Sequence, residues 1–421
     1  MNREKIRVTK NGIEIYDYKN PAAHAFHISL FLRAGSMHES EPGITHFLEH
    51  AAIRNVGAVM GGELYSTLDK YGMEFNASTY SEMVQFYICG ASKNFNLAAS
   101  IISKLLSPII LSPSEIHTEC ERIKAEIRES DDRTSLLSFT SDVLYAGTTL
   151  ANSITGTLGS VSKITKSRLE AYRKRVMTAE NIFFYVTGSY TDENLDTLSE
   201  EIEKWEALHG KKTENVAPLP ASFGKRGGRV YVKNADFTML RFSFDMDMSK
   251  ISVAEGDLLY DMLLGGYNSR FFIEMSERRG LFYDISGSSE RYKNIGTFAF
   301  SFEVRSGSVY DAVSLALDIL RLFKNTLYTD SELMKAGYVD NAHLLYDDTR
   351  ELAFTFAYDN HIMELGYSSV EERAATYAAV TPKRIREVAN LIFKPENLTL
   401  TIKGNKKKID TEMLEEITKK L

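Results

Sequence analysis

The first strands of the chain are predicted by apolar residues that alternate with polar ones around the pair Asn11–Gly12. Asn-Gly is the pair that most often supplies the left-handed residues of a type I′ turn, because both residues tolerate a positive φ. The pattern therefore predicts a β-hairpin that turns at these two residues. The apolar positions on either side of the turn are Ile6, Val8, Ile13 and Ile15.

The same order of apolar and polar residues occurs twice along the chain. Residues 165–188 align without a gap to residues 381–404, at an offset of 216, and each copy predicts an amphipathic helix, a turn and an apolar strand that ends at glycine. Residues 86–106 and 298–320 share a second pattern, which is a strand, a turn and a long helix. A generic α/β rhythm could produce such a match, but the gapless alignment favours internal duplication.

A polar segment rich in proline and glycine separates the two halves at residues 208–228. Such a composition is typical of a linker between domains. We therefore predict a first domain at residues 1–207 and a second, homologous domain at residues 229–421. Strands and helices are interleaved in both halves, which predicts in each domain a sheet with helices packed on it.

Composition and charge exclude several classes of protein. The chain has 50 Lys and Arg against 57 Asp and Glu, a net charge of −7, and its one short basic stretch, at residues 403–410, reads as a solvated turn. No nucleic-acid partner is therefore expected. No run of about 18 apolar residues is present, and no apolar leader segment follows the charged N-terminus, so we expect neither a membrane span nor export. The two cysteines form no disulfide framework, and a cytoplasmic location is predicted.

Residues 46–50, His-Phe-Leu-Glu-His, carry the first candidate chemistry. On a helix, His46 and His50 lie one turn apart on the same face, where two imidazoles can share a zinc ion. Glu49 lies beside them, where a carboxylate can take a proton from water. The alternative is that both histidines simply belong to a partly buried helix.

Catalytic zinc generally has three protein ligands, so a further residue is needed. Residues 111–130 predict a helix that Ser112 caps, with an apolar stripe along one face. Glu119 and Glu126 lie seven residues apart at the edge of this stripe. Carboxylates at a partly buried margin are costly unless a positive group is near them, and a zinc ion would be such a group. The alternative is an ordinary pair of glutamates at a solvated helix edge.

Here the chain resembles a known family. A histidine motif His-x-x-Glu-His, followed by a glutamate 76 residues after its second histidine, resembles the inverted-zincin signature of the pitrilysin family, which includes insulysin and the mitochondrial processing peptidases. The resemblance implies that His46, His50 and Glu126 hold one zinc ion per chain. It also implies that Glu49 is the general base and that Glu119 supports the metal ligands from behind.

Further segments extend this resemblance along most of the chain, at residues 32–50, 72–87, 151–165 and 263–289. The family's fold implies an α+β protein with two mostly antiparallel sheets that forms half of a clamshell. Its activity implies a zinc-dependent endopeptidase that cleaves unfolded peptides or leader segments. By resemblance, a peptide substrate adds as a strand at a sheet edge and contacts Asn76 and Ala77.

Two departures from the family pattern concern the second domain. The positions that correspond to the histidines fall near residues 258–262, where no histidine occurs, so a single zinc site is expected. The family commonly has an arginine seven residues before the tyrosine of its Gly-Leu-x-Tyr motif, and both hold the substrate. Here Tyr283 is present, but Ser276 occupies the arginine position. Tyr283 is therefore either a substrate-binding residue or a packing residue.

The missing arginine affects which partner subunit we expect for this chain. Short members of the family act as dimers, and in some of them one subunit carries zinc while a homologous subunit supplies the arginine–tyrosine pair. The chain is thus expected to form a homodimer or a heterodimer of that kind. A non-catalytic, structural or peptide-binding member of the family is the alternative from another functional class.

Overall fold

The computed structural model describes residues 3–130, 135–266 and 268–421. Within them the chain forms eleven β-strands, which are β1 (Lys5–Val8), β2 (Glu14–Lys19), β3 (Ala25–Leu32), β4 (Glu74–Thr79), β5 (Val84–Ala91), β6 (Ile182–Gly188), β7 (Arg229–Asn234), β8 (Thr238–Asp247), β9 (Ile285–Arg291), β10 (Ile295–Val304) and β11 (Leu398–Gly404).

The same residues form fourteen α-helices, and none of these helices is long and apolar enough to cross a membrane. The helices are α1 (Ile44–Val59), α2 (Leu64–Tyr71), α3 (Phe95–Ser103), α4 (Pro113–Ser130), α5 (Leu136–Leu144), α6 (Leu158–Val161), α7 (Lys166–Val176), α8 (Asp192–Glu203), α9 (Val253–Leu264), α10 (Val309–Asn325), α11 (Thr349–Ala357), α12 (Val370–Ala378), α13 (Pro382–Ile392) and α14 (Thr411–Thr418).

The strands form one sheet of six strands and one of five, and from β2 onward the first sheet has the same order as the second. The first sheet runs β1-β2-β6-β3-β5-β4 and the second runs β7-β11-β8-β10-β9. In both sheets the neighbouring strands are antiparallel except for one parallel pair, β2 with β6 and β7 with β11. The strands that the repeated sequences predict, β5 with β10 and β6 with β11, occupy equivalent places. The α+β class is therefore confirmed, and the shared order supports duplication.

The N-terminal hairpin is confirmed, but the predicted type of turn is wrong. β1 and β2 pair antiparallel, with Lys5 opposite Asp17. Gly12 has a φ of +85°, whereas Asn11 does not have a positive φ. A type I′ turn needs both residues in the left-handed region, so this longer loop uses only its glycine there.

The chain divides into two compact units that are not continuous in sequence. The first is built from residues 3–130, 152–215 and 343–373, and the second from the remaining described residues. The domain boundaries that we predicted at residues 207 and 229 describe the repeat in the sequence rather than these two units, and they stay a prediction. One helix from each half of the sequence thus packs on the sheet that the other half forms, where it covers a face of that sheet. α11, from the second half, lies on β3 and β6, and α5, from the first half, lies on β8 and β11.

The first unit positions the candidate site through α1, α4 and β4, because α1 packs against both of the others. α1 begins after Gly43, whose φ of +89° suits glycine. The buried carboxylate of Glu39 accepts hydrogen bonds from the backbone amides of Gly43 and Thr45, at 2.7 and 3.0 Å, and so satisfies free amides at the helix start. α4 begins with the predicted capping box, in which Ser112 and Glu115 bond each other's amides.

Candidate metal centre

The two histidines of the motif lie together on α1. The ring centroids of His46 and His50 are 4.6 Å apart, as expected for residues one helical turn apart. His46 is buried and His50 is partly buried. Burial, together with the nearby charge of His50, lowers the pKa of His46 to about 4. His46 is therefore neutral at physiological pH, which is the form that binds metal.

α4 places Glu126 opposite both imidazoles. One carboxylate oxygen lies 3.6 Å from Nε2 of His46 and the other lies 3.5 Å from Nε2 of His50. Ligand atoms of the three residues lie within 4.8 Å of one another, and this is the single such group of His, Cys, Asp and Glu among the described residues. Ligands of tetrahedral zinc lie about 2.0 to 2.2 Å from the metal and therefore about 3.3 Å from each other. The donor set and its spacing fit zinc.

Glu119 contacts the opposite side of the His50 ring. Its Oε2 atom lies 3.4 Å from Nδ1 of His50, and its Oε1 atom accepts from Arg54 at 2.5 Å and from Arg122 at 3.2 Å. Burial would raise the pKa of Glu119, but the hydrogen bonds from His50 and Arg54 lower it to about 2. Glu119 is thus a buried carboxylate beside the ring nitrogen of His50 that faces away from Glu126, which is where the carboxylate partners of metal-bound histidines lie.

Glu49 lies on the same helix and is tied to the edge of the sheet. Thr79, the last residue of β4, donates a hydrogen bond of 2.6 Å to Oε2 of Glu49. Burial raises the pKa of Glu49, and the Thr79 hydroxyl opposes this shift. The other oxygen, Oε1, is the atom that can take a proton. The arrangement joins a basic carboxylate, a metal-binding group and a strand edge.

Asn76 and Ala77 lie on the same edge strand. Asn76 is exposed and Ala77 is partly buried against the core, and the Asn76 carboxamide accepts a hydrogen bond of 2.9 Å from the Ala77 amide. An open cleft of about 890 Å³ borders the strand, and Glu49, His50 and Asn76 line it. The structure therefore brings Asn76 to the cleft that Glu49 and His50 line, with Ala77 next to it on the same strand.

Tyr283 belongs to the second unit, so the structure does not group it with the metal-binding residues. Its side chain is 97% exposed, which does not fit the alternative of a packing residue. The Ser276 hydroxyl donates to the Phe282 carbonyl at 3.0 Å within the turn that precedes Tyr283. α9, which corresponds to α1, has no histidine, as expected.

Three residues at this site escaped the sequence reasoning: Thr79, Arg54 and Arg122. Arg54 follows His50 by four residues and Arg122 follows Glu119 by three, so helical spacing could have identified both as neighbours. Thr79 lies two residues after Ala77 on one strand and therefore shares its face, but nothing in the sequence pairs that face with α1.

Comparison with known proteins yields two family matches. The profile described as "Insulinase (Peptidase family M16)" matches residues 15–158, and the profile described as "Peptidase M16 inactive domain" matches residues 163–336. Together these matches span about three quarters of the chain. The second match covers much of the half that lacks metal ligands.

Curated relatives are described as uncharacterized zinc proteases. A protein of Rickettsia felis is 27% identical over 299 residues, which cover 69% of this chain and 70% of the relative. A protein of Rickettsia bellii is 24% identical over 391 residues, which cover 90% of this chain and 89% of the relative. These names associate chains of this kind with zinc and proteolysis.

Solved structures share the fold. A "peptidase M16 inactive domain" from Pseudomonas fluorescens has a TM-score of 0.84 at 16% identity, covering 96% of this chain and 98% of that chain. A protease from Helicobacter pylori has a TM-score of 0.80 at 17% identity, with 96% and 100% covered. The periplasmic protease PqqL of Escherichia coli matches with a TM-score of 0.78 at 18% identity, covering 99% of this chain but 50% of that protein.

Proposed function

The chain belongs to peptidase family M16, and we propose that it is a zinc-dependent endopeptidase that cleaves unfolded peptides or leader segments. The observation that carries the proposal is the meeting of His46, His50 and Glu126 beside Glu49. A metallopeptidase needs a Lewis acid and a base at one place. His46, His50 and Glu126 supply ligands for the Lewis acid, and Glu49 supplies the base.

In this proposal His46, His50 and Glu126 hold one zinc ion. When bound, zinc supplies Lewis-acid chemistry, which polarises a peptide carbonyl and makes water more acidic. Glu49 takes a proton from water at Oε1 and later gives it to the departing amine, while its other oxygen stays bonded to Thr79. Glu119 keeps the His50 ring in place.

The substrate is proposed to add as a strand at the free edge of β4. In the first sheet β4 pairs with β5 on one side only, so its other edge is open to a peptide. Such pairing recognises main chain more than side chains, which suits unfolded peptides. Asn76 and Ala77 lie on this edge, and Thr79 at its end holds Glu49.

The proposal includes a partner subunit. Because Ser276 has no guanidinium and its hydroxyl is bonded locally, we propose one of two dimers. Either two copies of this chain bind the substrate without that arginine, or a homologous subunit supplies the arginine–tyrosine pair. Light scattering of the purified chain and a pull-down from native extract separate these forms. Recovery of this chain alone would count against the heterodimer. A cytoplasmic location is part of the same proposal, and cell fractionation tests it.

The test is cleavage of a mixed library of unfolded peptides by the zinc-loaded chain, with and without a chelator. Glu49→Gln should keep about one zinc per chain and lose turnover, whereas His50→Ala should lose both zinc and turnover. Retained turnover in Glu49→Gln would overturn the general-base role. A chain that binds no zinc would instead favour the non-catalytic alternative, which the match of residues 163–336 to an inactive domain leaves open.

A further inference from the structure

The second unit contains a cavity of about 380 Å³ that the proposed function does not use. Met262, near the end of α9, lies at one side of this cavity, and residues 268–278 and 328–334 supply its other lining side chains. All of these residues belong to the second unit. The cavity is therefore a feature of the half that has no counterpart of the metal-binding histidines.

The place of this cavity in its unit corresponds to that of the cleft beside the metal-binding group. Residues of α1, of the segment that follows α1 and of the first turns of α4 line that cleft. The cavity is lined by α9, by the segment that follows α9 and by residues 328–334, which contain the same capping arrangement as the start of α4. The Thr329 amide donates to Glu332 at 2.8 Å, as the Ser112 amide donates to Glu115 at 2.8 Å. The duplicated half has thus kept an opening at the place where the first half has its metal-binding group.

Arg270 presents a guanidinium group to this cavity. Its Cζ atom lies 5.2 Å from the ring centroid of Tyr328, which is a cation–π distance. A terminal nitrogen of Arg270 lies 3.7 Å from Oε1 of Glu332, which is longer than a hydrogen bond, and Oε2 of Glu332 accepts from the amide and the hydroxyl of Thr329. Because a guanidinium group has five donors, the contact with Glu332 leaves Arg270 able to bind a further acceptor.

Arg278 supplies a second guanidinium group at the cavity. It donates to one carboxylate oxygen of Glu274 at 2.6 Å, and Arg279 donates to the other oxygen at 3.2 Å. One glutamate is thus paired with two arginines. Together with Arg270 and Glu332, this group holds three positive and two negative side chains. The excess positive charge and the remaining guanidinium donors favour an anionic ligand.

The uncharged lining of the cavity suits a ligand that has an anionic group on an apolar stem. Asn268 and Ser331 carry further hydrogen-bond donors, and Met262, Ile273 and Met334 supply apolar surface. Met334 has a φ of +55°, and it is one of two non-glycine residues with a positive φ among the described residues. Such a conformation costs free energy for a residue with a Cβ atom, and it occurs preferentially at ligand-binding sites.

We propose that this cavity binds a carboxylate group of a peptide. Arg270 and Arg278 hold the carboxylate, whose planar pair of oxygens matches the donors of a guanidinium group, and Asn268 and Ser331 donate to it from the sides. A cavity of about 380 Å³ has room for a side chain or a chain end. The carboxylate therefore belongs either to an Asp or Glu side chain or to a C-terminus. The inference rests on the proposed function only in taking a peptide as the ligand.

The experiment compares the binding of fluorescent peptides to zinc-loaded Glu49→Gln chain, which should bind peptides without cleaving them. One pair of peptides differs only in having a free C-terminal carboxylate or a C-terminal amide. A second pair, both amidated, has Glu or Gln at one internal position, which is moved along the peptide. Anisotropy should show about three- to tenfold tighter binding of the anionic member in at least one pair, as partly exposed ion pairs provide. The pair that shows the difference identifies the source of the carboxylate.

Variants of the two arginines assign the preference to the cavity. Arg270→Gln and Arg278→Gln, each made in the Glu49→Gln background, should reduce the preference to about twofold or less and leave the binding of neutral peptides nearly unchanged. Arg270→Lys keeps the charge without the paired donors and should keep part of the preference. Arg321→Gln is the matched control, because Arg321 lies on α10 and pairs with Asp318 outside the cavity, and it should keep the whole preference. Arg278 is 63% exposed, so Arg278→Gln should keep the thermal midpoint of the parent.

The outcomes separate this inference from the proposed function. A preference that Arg270→Gln and Arg278→Gln both leave intact would show that the carboxylate binds elsewhere, for example at zinc, and would overturn the inference. Equal binding within both pairs of peptides would overturn it as well. If the unmodified chain cleaves peptides, either result leaves the proposed function standing. A preference that depends on these arginines, without cleavage by the unmodified chain, would keep the inference and remove the function, and no binding of any peptide would overturn both.

Discussion

Arg54 lies 2.5 Å from Glu119, the carboxylate that contacts His50, and through it a charged residue outside the metal-binding group is connected to one of the proposed ligands. Glu119 is almost completely buried and turns its other oxygen toward Nδ1 of His50. A buried carboxylate needs a compensating charge, and Arg54 supplies it together with the more exposed Arg122. The orientation of His50 therefore depends on a residue that does not contact the metal position.

We predict that Arg54→Met weakens zinc binding about 10-fold to 100-fold, the usual effect of removing support behind a metal-bound histidine. The reason is that Glu119 loses its shortest hydrogen bond and no longer fixes the His50 ring. Competition with a chromophoric zinc chelator measures the affinity directly. Arg122→Met is the matched control, because its contact with Glu119 is longer and more exposed, and it should have a smaller effect. Equal zinc affinity in Arg54→Met and the parent would contradict this account.

Glu39 gives the site a pH dependence through the start of α1. Burial raises the pKa of Glu39 to about 7, while the amides of Gly43 and Thr45 oppose the shift. A carboxyl group whose folded pKa is raised contributes stability that is fully present below its ordinary pKa of about 4.5 and is lost as pH rises through 7. A shift of this size corresponds to at most about 3 kcal/mol.

We therefore predict that Glu39→Gln becomes more stable relative to the parent as the pH is raised from 5 to 7.5. Glutamine cannot ionise, and it replaces only one of the two oxygens that accept from the amides of Gly43 and Thr45. The lost acceptor lowers stability by an amount that does not change with pH, so the change of the difference with pH reports the ionisation of Glu39. Thermal unfolding of both proteins at several pH values, with zinc in excess, gives the difference. A difference that does not change with pH would show that Glu39 ionises in the folded protein as it does in water.

The parts of the site that lie within one helix are predictable from sequence, and the parts that depend on packing are not. One helical turn separates His46 from His50, so their meeting follows from spacing alone. The approach of Glu126 requires α4 to pack on α1, and only the resemblance to a family indicated it. The division at residues 208–228 could not reveal that residues 343–373 pack in the first unit, because this contact is long-range.

The exposure of Tyr283 predicts a clear separation of stability from activity. At 97% exposure the side chain contributes little to folding, so Tyr283→Ala should leave the thermal midpoint nearly unchanged. If Tyr283 binds substrate in the assembled enzyme, Tyr283→Ala should raise KM several-fold. Tyr283→Phe should recover the part of substrate binding that the ring supplies. Steady-state kinetics beside calorimetry make the test. Unchanged kinetics in Tyr283→Ala would remove Tyr283 from the substrate-binding residues.

Thr79 is predicted to position the base. Its hydroxyl bonds one oxygen of Glu49, so Thr79→Val should leave the carboxylate free to turn and should lower kcat about 10-fold to 100-fold, the value of a hydrogen bond to a charged group. KM should change little, because the strand edge that holds the peptide stays intact. Thr79→Ser retains the hydroxyl and should keep most of the activity, which separates the lost hydrogen bond from a change in packing. Zinc content and the circular dichroism spectrum should match the parent in both variants. A fall in activity that appears in KM alone would assign Thr79 to peptide binding instead, and the orientation of Glu49 would then have to come from α1 itself.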